Sequence, residues 1–244
     1  MIYGVPSLYK APLLVASGVW FYIASTPPNA APKEEETKRY GDQDLLSRFF
    51  PWRKAAVLAG LSYWLSIAAE STVLVASAYP TLPISRPVLN ALIPVGQTAH
   101  AISLPPSWLC GFAALTLGGA LRLASYRHLG SLFTFHLTIR DEHKLITSGP
   151  YALVRHPSYL GAILTMGGML VCMFGPGSWL AECGWLETIA GKALCTGVVG
   201  WALYMSAMLL GRVPTEDRML RKEFGKEWDQ WARRTPYAVV PGLF

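Results

Sequence analysis

The stretch RHPSYLGAILTMGGMLVCMFG, residues 155–175, places an arginine, a histidine and a proline at the start of a long apolar run. From Ile163 to Gly175 the run carries no charged residue, as expected for a segment inside a lipid bilayer. A charged, proline-broken start to a membrane helix costs free energy that simple anchoring would not require. The stretch therefore predicts a membrane-spanning helix whose first residues, Arg155 and His156, serve a function.

The whole chain has the composition of a membrane protein. Of its 244 residues, 52% are hydrophobic and only 15% are charged, against about 25% charged in soluble domains. A helix needs about 20 apolar residues to cross a hydrocarbon core of about 30 Å. The predicted fold class is all-α, a polytopic integral membrane protein. Five stretches approach the required length: Leu8–Ser25, Ala55–Tyr79, Trp108–Leu123, Tyr159–Phe174 and Ile189–Leu210.

Two apolar stretches leave alternatives open. A weaker stretch, Pro87–Leu104, is interrupted by a proline and by polar residues, so it predicts either a re-entrant or interfacial segment or a sixth span. The first stretch is either a retained span or a cleaved signal peptide, and we favour retention because no basic cluster precedes it. The expected number of membrane helices is therefore five, or six if the weaker stretch also crosses.

The distribution of basic residues predicts the orientation in the membrane. Three segments, Thr26–Lys54, Arg122–Arg155 and Arg212–Phe244, hold 18 of the 21 lysines and arginines. By the positive-inside rule these segments face the cytosol, which places the N-terminus in the lumen and the C-terminus in the cytosol. The net charge of +6 then faces anionic lipid head groups and requires no nucleic-acid partner.

Polar and small residues inside the spans predict packing more than chemistry. Glu70 is the exception, because an intramembrane carboxylate is a functional candidate, although a protonated, hydrogen-bonded packing residue fits equally well. Gly111, Gly118 and Gly119 allow helices to approach closely in lipid. The four cysteines have neither metal-ligand spacing nor a CxxC pair, so we predict no metal site.

Two polar segments, remote in sequence, are expected to meet at one end of the helix bundle. The first, SGPYALVRHPSYLG at residues 148–161, offers turn backbone groups, aromatic faces and hydrogen-bonding side chains. The second, RVPTEDRMLRKEFGKEWDQWARRTP at residues 212–236, follows a helical hairpin that returns the chain to the same side. Arg212 and Glu216 share a helix face if the helix survives Pro214. The stretch Thr215–Trp231 predicts one amphipathic helix.

The elements RHPSYLG, Arg-x-x-x-Glu and FGKEWDQW, in this order, resemble those of the protein-S-isoprenylcysteine O-methyltransferase family (isoprenylcysteine carboxyl methyltransferase). The similarity runs from about Ser131 to the C-terminus. It implies one integral membrane domain, with N-terminal spans in residues 1–130 and a catalytic half in residues 131–244. It also implies a cytosolic cofactor pocket, formed by the loop before the fourth span and the C-terminal helix, in a multi-pass protein of the endoplasmic reticulum.

The resemblance implies S-adenosylmethionine (SAM) as the cofactor and a prenylated C-terminal cysteine, in proteins or peptides of CaaX processing, as the substrate. The enzyme would methylate the carboxylate of that cysteine. Arg212 matches the arginine expected to bind this carboxylate, and Arg234 matches a second basic residue with the same catalytic task; which is essential stays open. The matching cofactor-binding positions are Ile139, His143, Lys144, Leu145, Ile146, Tyr151, His156, Pro157, Ser158, Tyr159 and Glu216.

Other functions stay open on the sequence alone. Phospholipid methyltransferases share an element like RHPxYxG, but an amine substrate gains nothing from paired arginines at Arg212 and Arg234. Sterol reductases that use NADPH have a C-terminus similar to WARRTPYAVVPGLF, residues 231–244, but they are longer and have more spans. A non-enzymatic membrane scaffold is the third alternative. Binding of S-adenosylhomocysteine, of NADPH or of neither would separate these functions.

Overall fold

The computed structural model describes residues 8–30, 52–99, 101–135 and 144–243, and every regular element in these ranges is a helix. Short 3-10 helices occupy Gly130–Leu132, Gly149–Ala152 and Trp185–Glu187. The predicted all-α class is confirmed for this part of the chain. The α-helices are α1 (Lys10–Ser25), α2 (Trp52–Ala78), α3 (Ser85–Leu92), α4 (Pro106–Leu129), α5 (Pro157–Phe174), α6 (Trp179–Glu182), α7 (Ile189–Phe224) and α8 (Lys226–Arg234).

Four stretches of helix in the described residues are long and apolar enough to cross a membrane. Each of them contains or overlaps one of the predicted spans, which confirms the prediction of a polytopic membrane protein. The first predicted span also forms a helix, α1, but with 16 residues it is shorter than the other four. The four long stretches are Lys54–Ala78, Pro106–Leu132, Pro157–Glu182 and Ile189–Phe224.

The weaker apolar stretch contributes only part of a short helix. The helix α3 has 8 residues, which corresponds to about 12 Å at a rise of 1.5 Å per residue. It ends at Leu92, two residues before Pro94, and proline has no backbone N–H with which to continue a helix. The helix formed there is therefore too short to serve as a sixth span.

The predicted amphipathic helix over Thr215–Trp231 was wrong, because two helices share this stretch. The long helix α7 contains Pro214 without a break, continues to Phe224 and so carries Arg212 and Glu216 on one face. Gly225 then adopts a φ of +53° before α8 begins. Glycine tolerates this conformation because it has no Cβ. The presence of a glycine permits this division into two helices but does not require it.

The described residues form two compact units. The first comprises the described residues of Met1–Tyr22, Arg53–Thr116 and Thr165–Ala202. The second comprises those of Ile23–Trp52, Leu117–Leu164 and Leu203–Phe244. The two polar segments of the predicted site both belong to the second unit.

An ion pair is buried in the first unit. The Lys10 Nζ atom lies 2.6 Å from Glu70 Oε1, and both side chains are almost completely buried. Glu70 Oε2 accepts a hydrogen bond of 3.0 Å from the backbone N–H of Trp179. Lys10 Nζ donates to the carbonyl of Gly177 at 2.8 Å and lies 4.7 Å from the centre of the Trp108 ring. Glu70 is therefore held by a buried cation and a backbone N–H, and the sequence analysis did not predict the cationic partner.

Glycines bring α4 and α5 close together, which confirms the packing role predicted for Gly111. In the first unit, a Cβ atom on Gly111 would lie 2.6 Å from Val171, and one on Gly168 would lie 2.4 Å from the Gly111 carbonyl. In the second unit, a Cβ atom on Gly161 would lie 2.8 Å from the Gly118 carbonyl. Larger residues would force these helices apart, so the glycines permit the backbone contact that membrane helices use for packing.

Candidate active site

The candidate site lies within the second unit, where the start of α5 pairs with the C-terminal segment. The backbone N–H of Arg155 donates to the carbonyl of Tyr237 at 3.0 Å, and that of His156 donates to Ala238 at 2.7 Å. We call residues 235–239 the C-terminal strap. The pairing confirms that the two polar segments, remote in sequence, meet in one place.

A 3-10 turn over Gly149–Ala152 precedes this pairing. Pro150 near its beginning presets the backbone angle φ, and Gly149 has a φ of +61°. Tyr151 in the turn is buried, and its carbonyl accepts a hydrogen bond of 3.0 Å from the indole N–H of Trp231 in α8. Burial, followed by the charge of Glu216, raises the pKa of Tyr151 above its ordinary value. The phenol therefore stays protonated at neutral pH.

Asp217 of α7 connects the two basic residues at the start of α5. Its Oδ1 atom lies 3.0 Å from His156 Nε2. Its Oδ2 atom accepts hydrogen bonds from Arg155 Nε at 3.2 Å and from Arg155 Nη2 at 3.0 Å. Arg155 Nη1 donates to the carbonyls of Thr235 and Pro236 in the C-terminal strap, at 3.0 and 2.6 Å. The carboxylate thus links α7 to the start of α5, and Arg155 continues the connection to the strap.

Glu216, the neighbour of Asp217, faces the other side of the histidine ring. Its Oε2 atom accepts a hydrogen bond from the Tyr159 hydroxyl. Its Oε1 atom lies 3.8 Å from His156 Nδ1, and the Glu216 side chain is 30% exposed, whereas that of His156 is buried. The rings of His156 and Tyr159 stack with a centroid distance of 5.2 Å and an interplanar angle of 18°. The geometry presents a half-exposed carboxylate beside two stacked rings.

Two arginines donate hydrogen bonds that connect the elements around this cluster. Arg212 Nη1 donates to the carbonyl of Phe135 at 3.0 Å, so α7 is tied to the segment that follows α4. The buried Arg122 of α4 donates through Nη1 to the carbonyl and the hydroxyl of Ser158, at 3.1 and 3.2 Å. Arg122 Nε also contacts the Ala24 carbonyl at 2.5 Å. These contacts fix the helices that surround the site.

The predicted cofactor residues fall into different groups in the structure. His156, Tyr159 and Glu216 are in contact, and the charge of Glu216 acts on Tyr151. Pro157 and Ser158 are buried in the first turn of α5. Lys144 is exposed, whereas Leu145 and Ile146 are half-buried. The remaining two cofactor predictions, Ile139 and His143, lie outside the described residues.

The two predicted catalytic arginines have different surroundings. Arg212 is half-buried and lies one helical turn before Glu216 in α7. Arg234 is exposed and is the last residue of α8. The structure therefore places Arg212 next to the cluster by its helix position, whereas no described contact joins Arg234 to it.

Sequence reasoning missed Asp217 and Arg122 as parts of the site. Asp217 directly follows Glu216, and a largely buried arginine–histidine pair such as Arg155–His156 needs a nearby carboxylate to balance its charge and hydrogen bonds. This need for a nearby carboxylate could have indicated Asp217 from the sequence. Arg122 was counted only among basic residues that set the orientation, and nothing in its local pattern distinguished it from a lysine or arginine at a membrane surface.

A polytopic helical membrane protein with a polar cluster at the start of one membrane helix is the class that the fold and the site define. Within this class, residues 110–180 match the Isoprenylcysteine carboxyl methyltransferase (ICMT) family. The matched range contains the 3-10 turn and the Arg155–Tyr159 segment but ends before α7, which carries Glu216 and Asp217. The family resemblance predicted from the sequence motifs is confirmed.

Curated relatives extend this similarity. The chain is 31% identical over 131 residues to protein-S-isoprenylcysteine O-methyltransferase B of Arabidopsis thaliana, covering 53% of this chain and 57% of that protein. It is 27% identical over 139 residues to protein-S-isoprenylcysteine O-methyltransferase of Dictyostelium discoideum, covering 56% and 50%. A Delta(14)-sterol reductase of Mus musculus is 25% identical over 101 residues, covering 41% of this chain and 20% of that protein. The chain thus matches about half the length of the curated methyltransferases.

Proposed function

We propose that the protein is a SAM-dependent methyltransferase that esterifies the C-terminal carboxylate of S-prenylated cysteine in proteins or peptides. The observation that carries the proposal is the position of Glu216 and Arg212. They lie one turn apart on α7, with Glu216 beside His156 and Tyr159 and with Arg212 bonded to the Phe135 carbonyl. The similarity to proteins named protein-S-isoprenylcysteine O-methyltransferase supports the same reaction.

The polar side chains of the cluster fit SAM, which supplies a methyl group on a positively charged sulfur atom. Glu216 Oε1 is close to His156 Nδ1 but beyond hydrogen-bond distance from it, and the carboxylate is half-exposed. Such a carboxylate suits a ligand that carries a cation, an ammonium group or hydroxyls. We assign cofactor binding to Lys144, Leu145, Ile146, Tyr151, His156, Pro157, Ser158, Tyr159 and Glu216, and to Ile139 and His143 in the segment outside the described residues.

The chemistry of the substrate explains the assignment of Arg212. A carboxylate is a weak nucleophile in water, so it must be desolvated and aligned while it stays ionised. A guanidinium holds a carboxylate through two parallel hydrogen bonds and does not protonate it, since it stays charged at any physiological pH. Arg212 would hold the carboxylate in this way, and Arg234 would provide additional positive charge at the exposed end of α8. Positioning of this kind lowers the activation barrier and requires no covalent intermediate.

The membrane helices explain why this reaction occurs in lipid. A prenylated cysteine is amphiphilic, so its prenyl chain would enter from the bilayer while the cofactor enters from water. We propose the endoplasmic reticulum membrane as the location, with a luminal N-terminus and a cytosolic C-terminus. The support is that 18 of 21 basic residues lie in three segments that the positive-inside rule places in the cytosol.

The second candidate function is an NADPH-dependent reduction of a sterol. The match to a sterol reductase of Mus musculus favours it, although the match covers only 20% of that protein. Phospholipid N-methylation is the alternative within the methyltransferases. Arg212 and Arg234 favour a carboxylate substrate over an amine, because a guanidinium attracts a carboxylate, whereas an amine must lose a proton and gains nothing from a neighbouring cation.

Cofactor binding to the purified protein in detergent tests the proposal. Isothermal titration with S-adenosylhomocysteine should give saturable binding, and titration with NADPH should give none. A Glu216→Ala variant should bind S-adenosylhomocysteine more weakly, whereas Glu223→Ala, an exposed position on the same helix, should match the unmodified protein. Binding of NADPH instead of S-adenosylhomocysteine would favour the reductase, and binding of neither would contradict both enzymatic functions.

A further inference from the structure

Asp217 makes polar contacts to two neighbouring residues of the site. One oxygen faces His156 Nε2 at 3.0 Å, and the other accepts two hydrogen bonds from the guanidinium of Arg155. All three side chains are at least largely buried. Since an ionised carboxylate only accepts hydrogen bonds, the hydrogen in the contact with His156 must be carried by Nε2.

The contact with Asp217 determines whether the other ring nitrogen of His156, Nδ1, donates or accepts a hydrogen bond. In a neutral imidazole one nitrogen carries hydrogen and the other has a lone pair. With hydrogen on Nε2, the Nδ1 atom becomes an acceptor. The stacked ring of Tyr159 fixes the plane of the imidazole. The direction of the Nδ1 lone pair is therefore set by Asp217 and Tyr159 together.

The Nδ1 atom faces a second acceptor. Glu216 Oε1 lies 3.8 Å away, which is too far for a direct hydrogen bond between the two. The carboxylate of Glu216 is itself oriented by the hydroxyl of Tyr159. Two fixed acceptors at this spacing suit a ligand that offers hydrogen-bond donors, such as an ammonium group or a hydroxyl.

We infer that Asp217 is a positioning residue, which holds His156 in the tautomer whose Nδ1 atom, paired with Glu216 Oε1, accepts hydrogen bonds from the nucleoside cofactor. The inference rests on the proposed function, because it names SAM as the ligand of this acceptor pair. It adds a residue that neither the sequence motifs nor the matched range of the family includes. Asp217 itself touches no ligand in this account and acts through His156.

An Asp217→Asn variant tests the tautomer without removing the contacts. The amide oxygen of asparagine keeps a hydrogen bond from Arg155, and its amide N–H donates to His156 Nε2. The ring hydrogen then moves to Nδ1, which changes from an acceptor to a donor. A comparable exchange of carboxylate for amide beside a histidine preserves geometry but produces the wrong tautomer. We expect S-adenosylhomocysteine to bind about tenfold more weakly, as for the loss of one hydrogen bond to a charged group.

The matched control is Asp229→Asn. Asp229 also pairs with an arginine, Arg221, at 2.8 Å, but both side chains are much more exposed. This variant should keep the affinity of the unmodified protein. Thermal unfolding of both variants in detergent should give nearly the same midpoint as the unmodified protein, because Asp217→Asn keeps its partners.

A double-mutant cycle separates positioning from a merely structural role. In His156→Gln, the amide N–H of glutamine reaches Asp217 in place of Nε2, but the acceptor at Nδ1 is lost. If Asp217 acts through that acceptor, adding Asp217→Asn to His156→Gln should weaken S-adenosylhomocysteine binding little further. A structural role predicts instead that the two losses add.

Titration of the four proteins of this cycle with S-adenosylhomocysteine distinguishes the positioning role from a structural role. Weaker binding by Asp217→Asn at unchanged stability, without further loss in the double variant, supports the inference. Unchanged affinity in Asp217→Asn, or additive losses in the cycle, overturns it and leaves the proposed function intact. Absence of binding by the unmodified protein overturns the proposed function and the inference with it.

Discussion

Replacing Glu216 with alanine removes the half-exposed carboxylate at the centre of the candidate site. Its Oε2 atom accepts a hydrogen bond from the Tyr159 hydroxyl, and its Oε1 atom lies beside His156 Nδ1. A hydrogen bond to a charged group contributes about 1.5–3 kcal/mol. Because the side chain is 30% exposed, solvent screens the charge, and the lower end of this range applies. The expected loss of about 1.5 kcal/mol corresponds to roughly tenfold weaker binding of S-adenosylhomocysteine.

Isothermal titration in detergent measures this change directly. The Glu223→Ala variant changes an exposed carboxylate on the same helix and is the matched control. Thermal unfolding of each variant shows whether the protein is folded during the titration. Unchanged affinity in a folded Glu216→Ala protein would refute the assignment of Glu216 to the cofactor and leave it with a structural role.

Three further predictions concern the substrate, the buried ion pair and the orientation. Arg212→Lys keeps the charge but loses the two-pronged geometry, so turnover should fall about 100-fold with cofactor affinity nearly intact. Lys10→Met leaves Glu70 buried without its cation and should destabilise the protein by about 3–5 kcal/mol, whereas adding Glu70→Leu should restore most of the loss. Cysteines introduced at positions 35 and 230 should both react from the cytosolic side of sealed microsomes, because both lie in segments rich in lysine and arginine.

Each of these predictions has its own control and its own contrary result. For Arg212→Lys the control is Arg218→Lys, an exposed change on the same helix. Near-normal turnover in Arg212→Lys would contradict its substrate role and assign that role to Arg234. Lys192→Met is an exposed change in the first unit. A Lys10→Met protein that unfolds at the same temperature as this control would show that the ion pair does not stabilise the fold. Labelling of position 35 from the luminal side would show that the first stretch does not cross the membrane as predicted or is cleaved from the protein.

The membrane helices could be predicted from the sequence because long apolar runs have few alternative structures in lipid. The two polar segments could also be predicted to meet, since a hairpin between two spans returns the chain to the same side. The division between α7 and α8 could not be read from the apolar pattern, which runs through Gly225 without a change of phase. It depends on a backbone angle that glycine permits but does not require.

The site was predicted less completely than the fold. His156, Tyr159 and Glu216 come from recognisable motifs, and their contact in the structure follows from the pairing of α5 with the C-terminal strap. Asp217 was missed because its role depends on the angular position of one helix relative to the start of another. The pair Lys10–Glu70 was missed because its members lie 60 residues apart, and the sequence contains no pattern that links them.

Formation of a methyl ester tests the central claim most directly. The purified protein is incubated with SAM labelled in its methyl group and with N-acetyl-S-farnesylcysteine, and the label released as methanol by mild base is counted. We expect base-labile label that depends on the free carboxylate, so the C-terminal amide of the same compound should accept none. Base-stable transfer to phosphatidylethanolamine, or no transfer to N-acetyl-S-farnesylcysteine by a protein that binds S-adenosylhomocysteine, would contradict the account.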